Sequence, residues 1–120
     1  MALTSSMEDY LEAVLILQQR RGYVRCVDIA EHLGVTKPSV SRAVKELSRS
    51  GHMLKNADGT LSLTEPGVRV AEQVYEKHRF FRDKLIAAGV DPATAERYAC
   101  SIEHAISEES FRRLKQALEG

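Results

Sequence analysis

The stretch from 28 to 42 limits the possible folds more than any other part of this chain. A helix-forming run over 27–33 is followed by Gly34, and glycine readily adopts the left-handed conformation of a tight turn. Pro38 then suits the first turn of a second helix, where its missing N–H costs nothing. We expect two valines to hold that second helix in the core, Val35 and Val40. The pattern predicts a helix-turn-helix.

A capping pattern and a glycine indicate a helix before this motif. Ser5 and Glu8 have the spacing of a capping box, in which a hydroxyl is followed three residues later by a carboxylate. We therefore expect a helix over 7–20 that is ended by Gly22. Its apolar stripe comprises Tyr10, Leu11, Val14, Leu15 and Leu17.

A hairpin and three more helices follow the motif. Asp58 and Gly59 lie between two short alternating runs, 53–55 and 60–63, and this arrangement predicts a two-stranded hairpin. Cap residues then predict helices over 65–88, 92–106 and 108–118, with Thr64, Asp91 and Ser107 as their N-caps.

This order of elements predicts a mainly α fold with two domains. Residues 1–64 would form a winged helix-turn-helix domain of three helices plus a two-stranded wing. Residues 65–120 would form an all-helical domain. A chain of 120 residues buries only a modest core, so dimerisation would add useful burial.

The charges are unevenly distributed, although the formal net charge is zero. Residues 36–55 hold five cations and one carboxylate, whereas residues 91–110 hold five carboxylates and one arginine. The first region suits phosphates and the second suits cations.

The sequence favours a cytoplasmic protein with no membrane partner. No apolar run approaches the roughly 20 residues needed to span a bilayer, and residues 1–6 lack the basic and apolar regions of a signal peptide. Two cysteines do not make a disulfide framework, so we expect Cys26 and Cys100 each to be a buried thiol or a metal ligand. Cys26 has no acidic or histidine neighbour at ligand spacing, which favours packing.

The second helix of the motif carries hydroxyls and cations on its outward face, and these groups bond phosphate oxygens and base edges. Arg42 is the candidate for guanine recognition, and the wing over 56–60 would contact the backbone or a minor groove. The predicted DNA-binding residues are Thr36, Lys37, Pro38, Ser39, Ser41, Arg42, Lys45 and Arg49. The alternative is a winged helix that contacts only proteins, in which case salt would affect DNA affinity little.

A thiol, a carboxylate and an imidazole occur together near the end of the chain. Cys100, Glu103 and His104 would share one face of a helix, and all three are transition-metal ligands. Asp9 and Glu12 similarly share a face of the first helix. Each group also has an ordinary structural explanation, such as a small buried hydrophobe for Cys100 or a favourable helix-dipole position for Asp9. Spacing alone leaves both explanations open.

The whole chain resembles the diphtheria toxin repressor and manganese transport regulator family. The matching stretches, in the family's order, are SMEDYLE (6–12), DIAEHL (28–33), LTEPG (63–67), KHR (77–79) and CSIEHAIS (100–107). The resemblance implies a homodimeric, metal-activated repressor of metal-uptake genes that binds double-stranded DNA. It also implies that residues 1–64 are the DNA-binding domain and that residues 65–120, the helices after the wing, are the metal-binding and dimerisation domain with the dimer interface. The chain resembles the short form of the family, without an SH3-like domain.

The resemblance also implies a ligand set: Asp9, Glu12, His78, Cys100, Glu103 and His104. Manganese-type members carry an aspartate at the position of Asp9, and iron-type members carry a cysteine at the position of Cys100, so this chain combines both types. Carboxylates suit manganese(II) and a thiolate suits iron(II) or zinc(II). The implied cofactor is therefore iron(II) or manganese(II). In this chain the ancillary metal site of iron-type members looks incomplete, because Arg82 falls where those members carry a glutamate ligand and Glu96 falls near their second histidine.

The resulting prediction is a metal-dependent repressor of metal homeostasis genes that is not an enzyme. A metal that joins the first helix to the dimerisation part would set the distance between recognition helices, which must match half-sites of a palindromic operator about 34–36 Å apart. One alternative is a metal-independent winged-helix regulator, in which changes at Glu103 or His104 leave DNA binding unaffected. Another is a metalloenzyme, but it would need an open coordination position and a separate general base.

Overall fold

The structure, a computed structural model, describes residues 3–119 as six helices and one two-stranded sheet. The helices are α1 (Ser5–Arg21), α2 (Cys26–Leu33), α3 (Lys37–Arg49), α4 (Glu65–Ala87), α5 (Pro92–Ile102) and α6 (Glu108–Glu119), and the strands are β1 (Met53–Lys55) and β2 (Leu61–Leu63). The predicted mainly α fold with a winged helix-turn-helix is confirmed. None of the described helices is both long and apolar enough to cross a membrane.

The chain divides into two compact units, Met1–Glu72 and Gln73–Gly120. Helix α4 contributes its first turns to one unit and the rest of its length to the other. The division into functional domains at 64/65 remains a prediction, and its terminal residues 1, 2 and 120 lie outside the described part of the chain.

Helix α1 begins at Ser5, two residues before the predicted start, and its N-cap lies one residue before the predicted capping residue. The N-cap is Thr4, whose hydroxyl accepts a hydrogen bond from the backbone N–H of Met7. Ser5 therefore lies inside the helix, and the prediction that it starts a capping box is wrong because the neighbouring hydroxyl takes that role. The helix ends at Gly22, which has a φ of 83° as expected. Its predicted apolar stripe is buried.

The helix-turn-helix forms around Gly34, which adopts the left-handed conformation. Helix α3 begins after the N-cap Thr36 and buries Val40, Val44 and Leu47. Val35 does not join this core, since 38% of the residue is exposed. The prediction for Val35 was wrong because it lies in the connecting turn, ahead of the amphipathic part of α3.

The wing is an antiparallel hairpin in which Met53 pairs with Leu63 and Lys55 with Leu61. Met53 and Leu61 are buried, and the N–H of Leu61 donates to the carbonyl of Val24. That bond ties the second strand of the wing to the segment between α1 and α2.

The start of α4 packs closely against the segment before the wing. The hydroxyl of Thr64 accepts from the N–H of Gly67 and donates to the carbonyl of Gly51. A Cβ atom at position 67 would collide with the backbone carbonyl of His52. Position 67 therefore admits only glycine without a backbone shift.

The second unit is held by an aromatic cluster. The rings of Phe80 and Phe111 meet edge to face with centroids 5.3 Å apart, and Phe81 packs beside both. Asp91 and Ser107 accept the N-terminal hydrogen bonds of α5 and α6, as predicted.

Helix α5 ends at Ile102, which is four residues before the predicted end. The N–H of Glu103 makes the last helical bond, to Ala99, and the N–H of Ala105 then bonds the carbonyl of Ile102 in a tighter turn. Residues 103–107 therefore form a turn that leads into α6.

Replacing Gly67 with alanine should destabilise the protein. Glycine-to-alanine changes inside helices normally stabilise by about 0.5–1 kcal/mol, but here the added methyl group meets the His52 backbone. We expect a loss of about 1–3 kcal/mol, as for other overpacked sites, measured by urea unfolding. A gain in stability for Gly67→Ala would contradict the close approach.

Candidate functional site

Three potential metal ligands of different chemistry meet within the second unit. Donor atoms of His78, Cys100 and Glu103 all lie within 4.8 Å of one another. Helix α4 supplies the histidine, the last turn of α5 supplies the cysteine, and the C-cap of α5 supplies the glutamate. An imidazole, a thiol and a carboxylate therefore converge on one point.

The glutamate of this cluster is almost completely buried. Glu103 is 1% exposed and His78 is 5% exposed, whereas Cys100 reaches the surface. A buried carboxylate needs compensation by charge or hydrogen bonds. His78 Nδ1 lies 3.2 Å from Glu103 Oε2, and His104 Nε2 lies 3.4 Å from Glu103 Oε1. Two imidazoles thus flank the carboxylate.

The cluster shifts the protonation of His78. The pKa of His78 is raised to about 11. The neighbouring Cys100 side chain contributes most to this increase, and the carboxylates of Glu103 and Glu96 contribute further, whereas burial of the ring lowers the pKa. Without metal, His78 is therefore an imidazolium at neutral pH.

The prediction that Cys100, Glu103 and His104 share one helical face is right for the first two and wrong for His104, because α5 ends at Ile102. Glu103 is the C-cap and His104 lies in the following turn. The turn nevertheless brings the imidazole of His104 beside the carboxylate of Glu103. The contact arises from this turn and not from helical spacing.

A buried lysine holds this turn against α4. The Nζ atom of Lys77 donates to the carbonyl of Ile106 at 3.3 Å and lies 3.5 Å from Glu108 Oε2. The Lys77 side chain is only 11% exposed. Lys77 and His78 are adjacent on α4, so one helical turn contacts both ends of the segment that carries Glu103 and His104.

Glu96, for which only the resemblance had indicated a place, contacts the cluster directly. The Nε2 atom of His78 donates to Glu96 Oε1 at 2.8 Å. A sequence signal was available, because Glu96, Cys100 and Glu103 follow each other at intervals of four and three residues, the spacing of one helix face.

The two ligands predicted on α1 belong to the first unit. Glu12 is buried, and Asp9 is partly buried one helical turn before it. Their assignment as metal ligands remains a prediction.

The donor set of the second unit fits a divalent transition metal. The Nδ1 atom of His78 is buried on the side of the cluster. It faces the carboxylate of Glu103 and shares the cluster with the Cys100 thiol. Nitrogen, sulfur and oxygen donors of this kind suit iron(II), zinc(II) or manganese(II).

A second candidate site is the outer face of α3. All of its predicted DNA contacts are exposed except Ser39, which is half-buried. Two hydroxyls are already used within the protein, since Thr36 and Ser39 share a hydrogen bond of 2.9 Å at the helix start. Arg49 forms an exposed pair with Glu46 at 3.3 Å, a contact of little strength in water. Arg49 can therefore exchange Glu46 for a DNA phosphate at low cost.

The wing is ordered by its own hydrogen bonds. Asp58 accepts from both the N–H and the hydroxyl of Thr60, and these bonds lower the pKa of its carboxyl group. The guanidinium of Arg25 donates to the carbonyl of Asp58 at 2.8 Å. The tip is therefore held in place before any partner arrives.

Two family models match the chain in succession. Residues 2–59 match the iron dependent repressor N-terminal DNA binding domain, and residues 64–120 match the iron dependent repressor metal binding and dimerisation domain. The winged helix-turn-helix lies almost entirely in the first match, and the His78, Cys100 and Glu103 cluster lies in the second.

Individual relatives agree with these matches. The HTH-type transcriptional regulator MntR of Shouchella clausii is 34% identical over 111 residues, which are 92% of this chain and 78% of that protein. The crystal structure of T. acidophilum IdeR has a TM-score of 0.79 at 28% identity, and that of the manganese regulator SloR has 0.81 at 30%. The alignments cover 100% and 98% of this chain but 56% and 54% of those chains. This chain therefore spans about half the length of these two structures.

The predicted resemblance is confirmed, and the relatives are regulators rather than enzymes. Because both family models match and together extend over almost all of its residues, the chain belongs to the iron dependent repressor family, the diphtheria toxin repressor and manganese transport regulator family of metal-dependent transcriptional repressors.

Proposed function

We propose that this protein is a homodimeric repressor that binds a palindromic operator when iron(II) or manganese(II) is bound. One observation supports this most directly: His78, Cys100 and Glu103 bring three metal-binding donor types within 4.8 Å in a chain that also exposes a basic recognition helix. The metal-binding description of the matching family model and the name of the manganese regulator SloR point the same way.

The proposed ligands are His78, Cys100, Glu103 and His104 of the second unit together with Asp9 and Glu12 of α1. The bound ion would supply positive charge that offsets the buried carboxylate. Cys100 favours iron(II), and the carboxylates favour manganese(II). The balance between these residues would decide which ion the protein senses.

On the DNA side, Arg42 would pair with a guanine in the major groove, where bidentate arginine contacts discriminate bases. Lys37, Lys45 and Arg49 would contact phosphates, which position the protein without reading sequence. The wing over 56–60 would lie against the backbone or a minor groove. In a two-fold dimer these contacts repeat at half-sites about 34–36 Å apart.

The metal would control DNA binding because its proposed ligands belong to different parts of the chain. Asp9 and Glu12 belong to the first unit, and the remaining ligands belong to the second. Residues that bind the same ion cannot move independently, so the ion would also limit the range of distances between the recognition helices of a dimer. Metal and DNA would then raise each other's affinity by the same factor.

Metal should strengthen operator binding. With labelled DNA from upstream of the protein's own gene, we expect at least a tenfold gain in affinity on adding iron(II) or manganese(II) anaerobically, which corresponds to about 1.4 kcal/mol of coupling. Fluorescence anisotropy measures it, with chelator as the reference. The more effective ion shows whether Asp9 or Cys100 sets the preference.

A pair of matched variants serves as the control for this experiment. Glu103→Gln should remove most of the gain, whereas Glu109→Gln, on the exposed face of α6, should keep it. Equal DNA binding with and without metal, in both variants and the original chain, would favour a metal-independent regulator.

Arg42 and Lys45 should differ in how they affect DNA binding. Arg42→Ala should cost about 1–3 kcal/mol on the preferred operator and relax specificity at one base, whereas Lys45→Ala should weaken all sequences alike and reduce the salt slope by about one. Anisotropy titrations on operator and scrambled DNA at several salt concentrations separate the two. A uniform loss for Arg42→Ala would place that residue on phosphate instead.

Metal affinity should rise with pH. Because the pKa of His78 is raised to about 11, the metal-free protein holds a proton there that the ion must displace. At least one proton is released per ion, so affinity should increase at least tenfold, on the order of one power of ten per proton, for each unit between pH 6.5 and 8. Calorimetry in buffers of different ionisation enthalpy counts the released protons. Binding without proton release would mean that His78 is not a ligand.

A further inference from the structure

Glu96 occupies a defined place beside the metal cluster without belonging to it. Its Oε1 atom accepts a hydrogen bond from His78 Nε2 at 2.8 Å. The opposite ring nitrogen, Nδ1, lies 3.2 Å from Glu103 Oε2 on the cluster side. The ring is therefore held between two carboxylates, one at each nitrogen.

The two nitrogens of an imidazole have different tasks when the ring binds a metal. One nitrogen binds the ion, and the other commonly donates its N–H to a carboxylate, which fixes the ring orientation and raises its basicity. In this chain the buried Nδ1 faces Cys100 and Glu103. The carboxylate of Glu96 already holds Nε2, so the ring orientation needed for Nδ1 ligation exists in the metal-free protein.

We propose that Glu96 is the positioning residue of the metal centre: its carboxylate accepts the Nε2–H of His78 and directs the Nδ1 atom toward the ion. This inference rests on the proposed binding of metal by His78.

A second metal ion between His78 Nε2 and Glu96 is the competing explanation, and the surroundings disfavour it. Among residues 3–119, no cluster of three or more His, Cys, Asp or Glu donors includes Glu96. Arg82, one helical turn after His78 on α4, places a cation on that segment, and its guanidinium pairs with Asp83 at 3.1 Å. Two donors without a third protein ligand make a poor site for a transition metal.

The position of Glu96 makes it suitable for mutation. Half of its side chain is exposed, with a relative accessibility of 51%, so truncation leaves the aromatic core of the second unit intact. Gln at this position keeps an oxygen that accepts the Nε2–H but removes the negative charge. Ala removes both the acceptor and the charge.

The test compares Glu96→Ala and Glu96→Gln with the original chain, and Glu109→Ala serves as a control with the same change in charge. Manganese(II) binding is measured by calorimetry in the full-length protein, for both affinity and the number of ions per subunit. We expect Glu96→Ala to raise the Kd about 10–100-fold, the range found for such supporting residues, with the number of ions unchanged. Glu96→Gln should lose less, and Glu109→Ala should bind like the original chain.

A spectroscopic readout separates positioning from general destabilisation. In zinc(II)-loaded protein, nitrogen-15 NMR of the histidine side chains should show His78 protonated at Nε2 and metal-bound at Nδ1. Glu96→Ala should lose this single pattern, and Glu96→Gln should restore it.

Several results would overturn the inference. If Glu96→Ala binds one ion fewer per subunit, Glu96 is a ligand and not a positioning residue. Unchanged affinity in Glu96→Ala, or zinc bound at Nε2 of His78, would also reject it. If the original chain binds no metal at all, the proposed function itself fails and this inference fails with it, so the two failures are distinguishable.

Discussion

The second unit depends on one electrostatic constraint, the burial of the Glu103 carboxylate. A charge withdrawn from water is stable only when other groups compensate it, and here the imidazoles of His78 and His104 approach both of its oxygens. Glu103 is also the C-cap of α5, so the helix ends at the residue whose side chain lies between these two rings. The same constraint accounts for the protonated state of His78, which supplies the positive charge when no metal is present.

Sequence patterns predicted most of the architecture because local chemistry determines it. Gly22, Gly34 and Gly59 adopt positive φ where turns were expected. Asp91 and Ser107 cap their helices through short-range hydrogen bonds. Such effects involve neighbours within four residues, so they depend little on the rest of the fold. The buried faces of α1 and α3 were equally predictable, since a hydrophobic stripe at helical spacing has one favourable orientation.

The predictions were wrong or incomplete where two local alternatives compete or where tertiary contacts determine the structure. Thr4 and Ser5 offer the same hydroxyl one residue apart, and only the structure shows which caps α1. His104 was expected on a helix, but Lys77 and the buried Glu103 hold residues 103–107 in a turn. Glu96 approaches His78 from a different helix, across 18 residues of sequence. Its helical spacing with Cys100 was visible, whereas the partner that it faces was not.

The contacts that Lys77 makes with Ile106 and Glu108 fix the length of the segment between α5 and α6. The amino group of Lys77 bonds the carbonyl of Ile106, a backbone atom that every residue type provides. Single substitutions in the turn can therefore keep this hydrogen bond, provided that they do not replace a residue of the cluster. An inserted or deleted residue would instead move Ile106 away from the lysine and shift Glu103 relative to His78. In lineages that carry this lysine, the turn should vary in composition at the exposed Ala105 but tolerate no insertions or deletions.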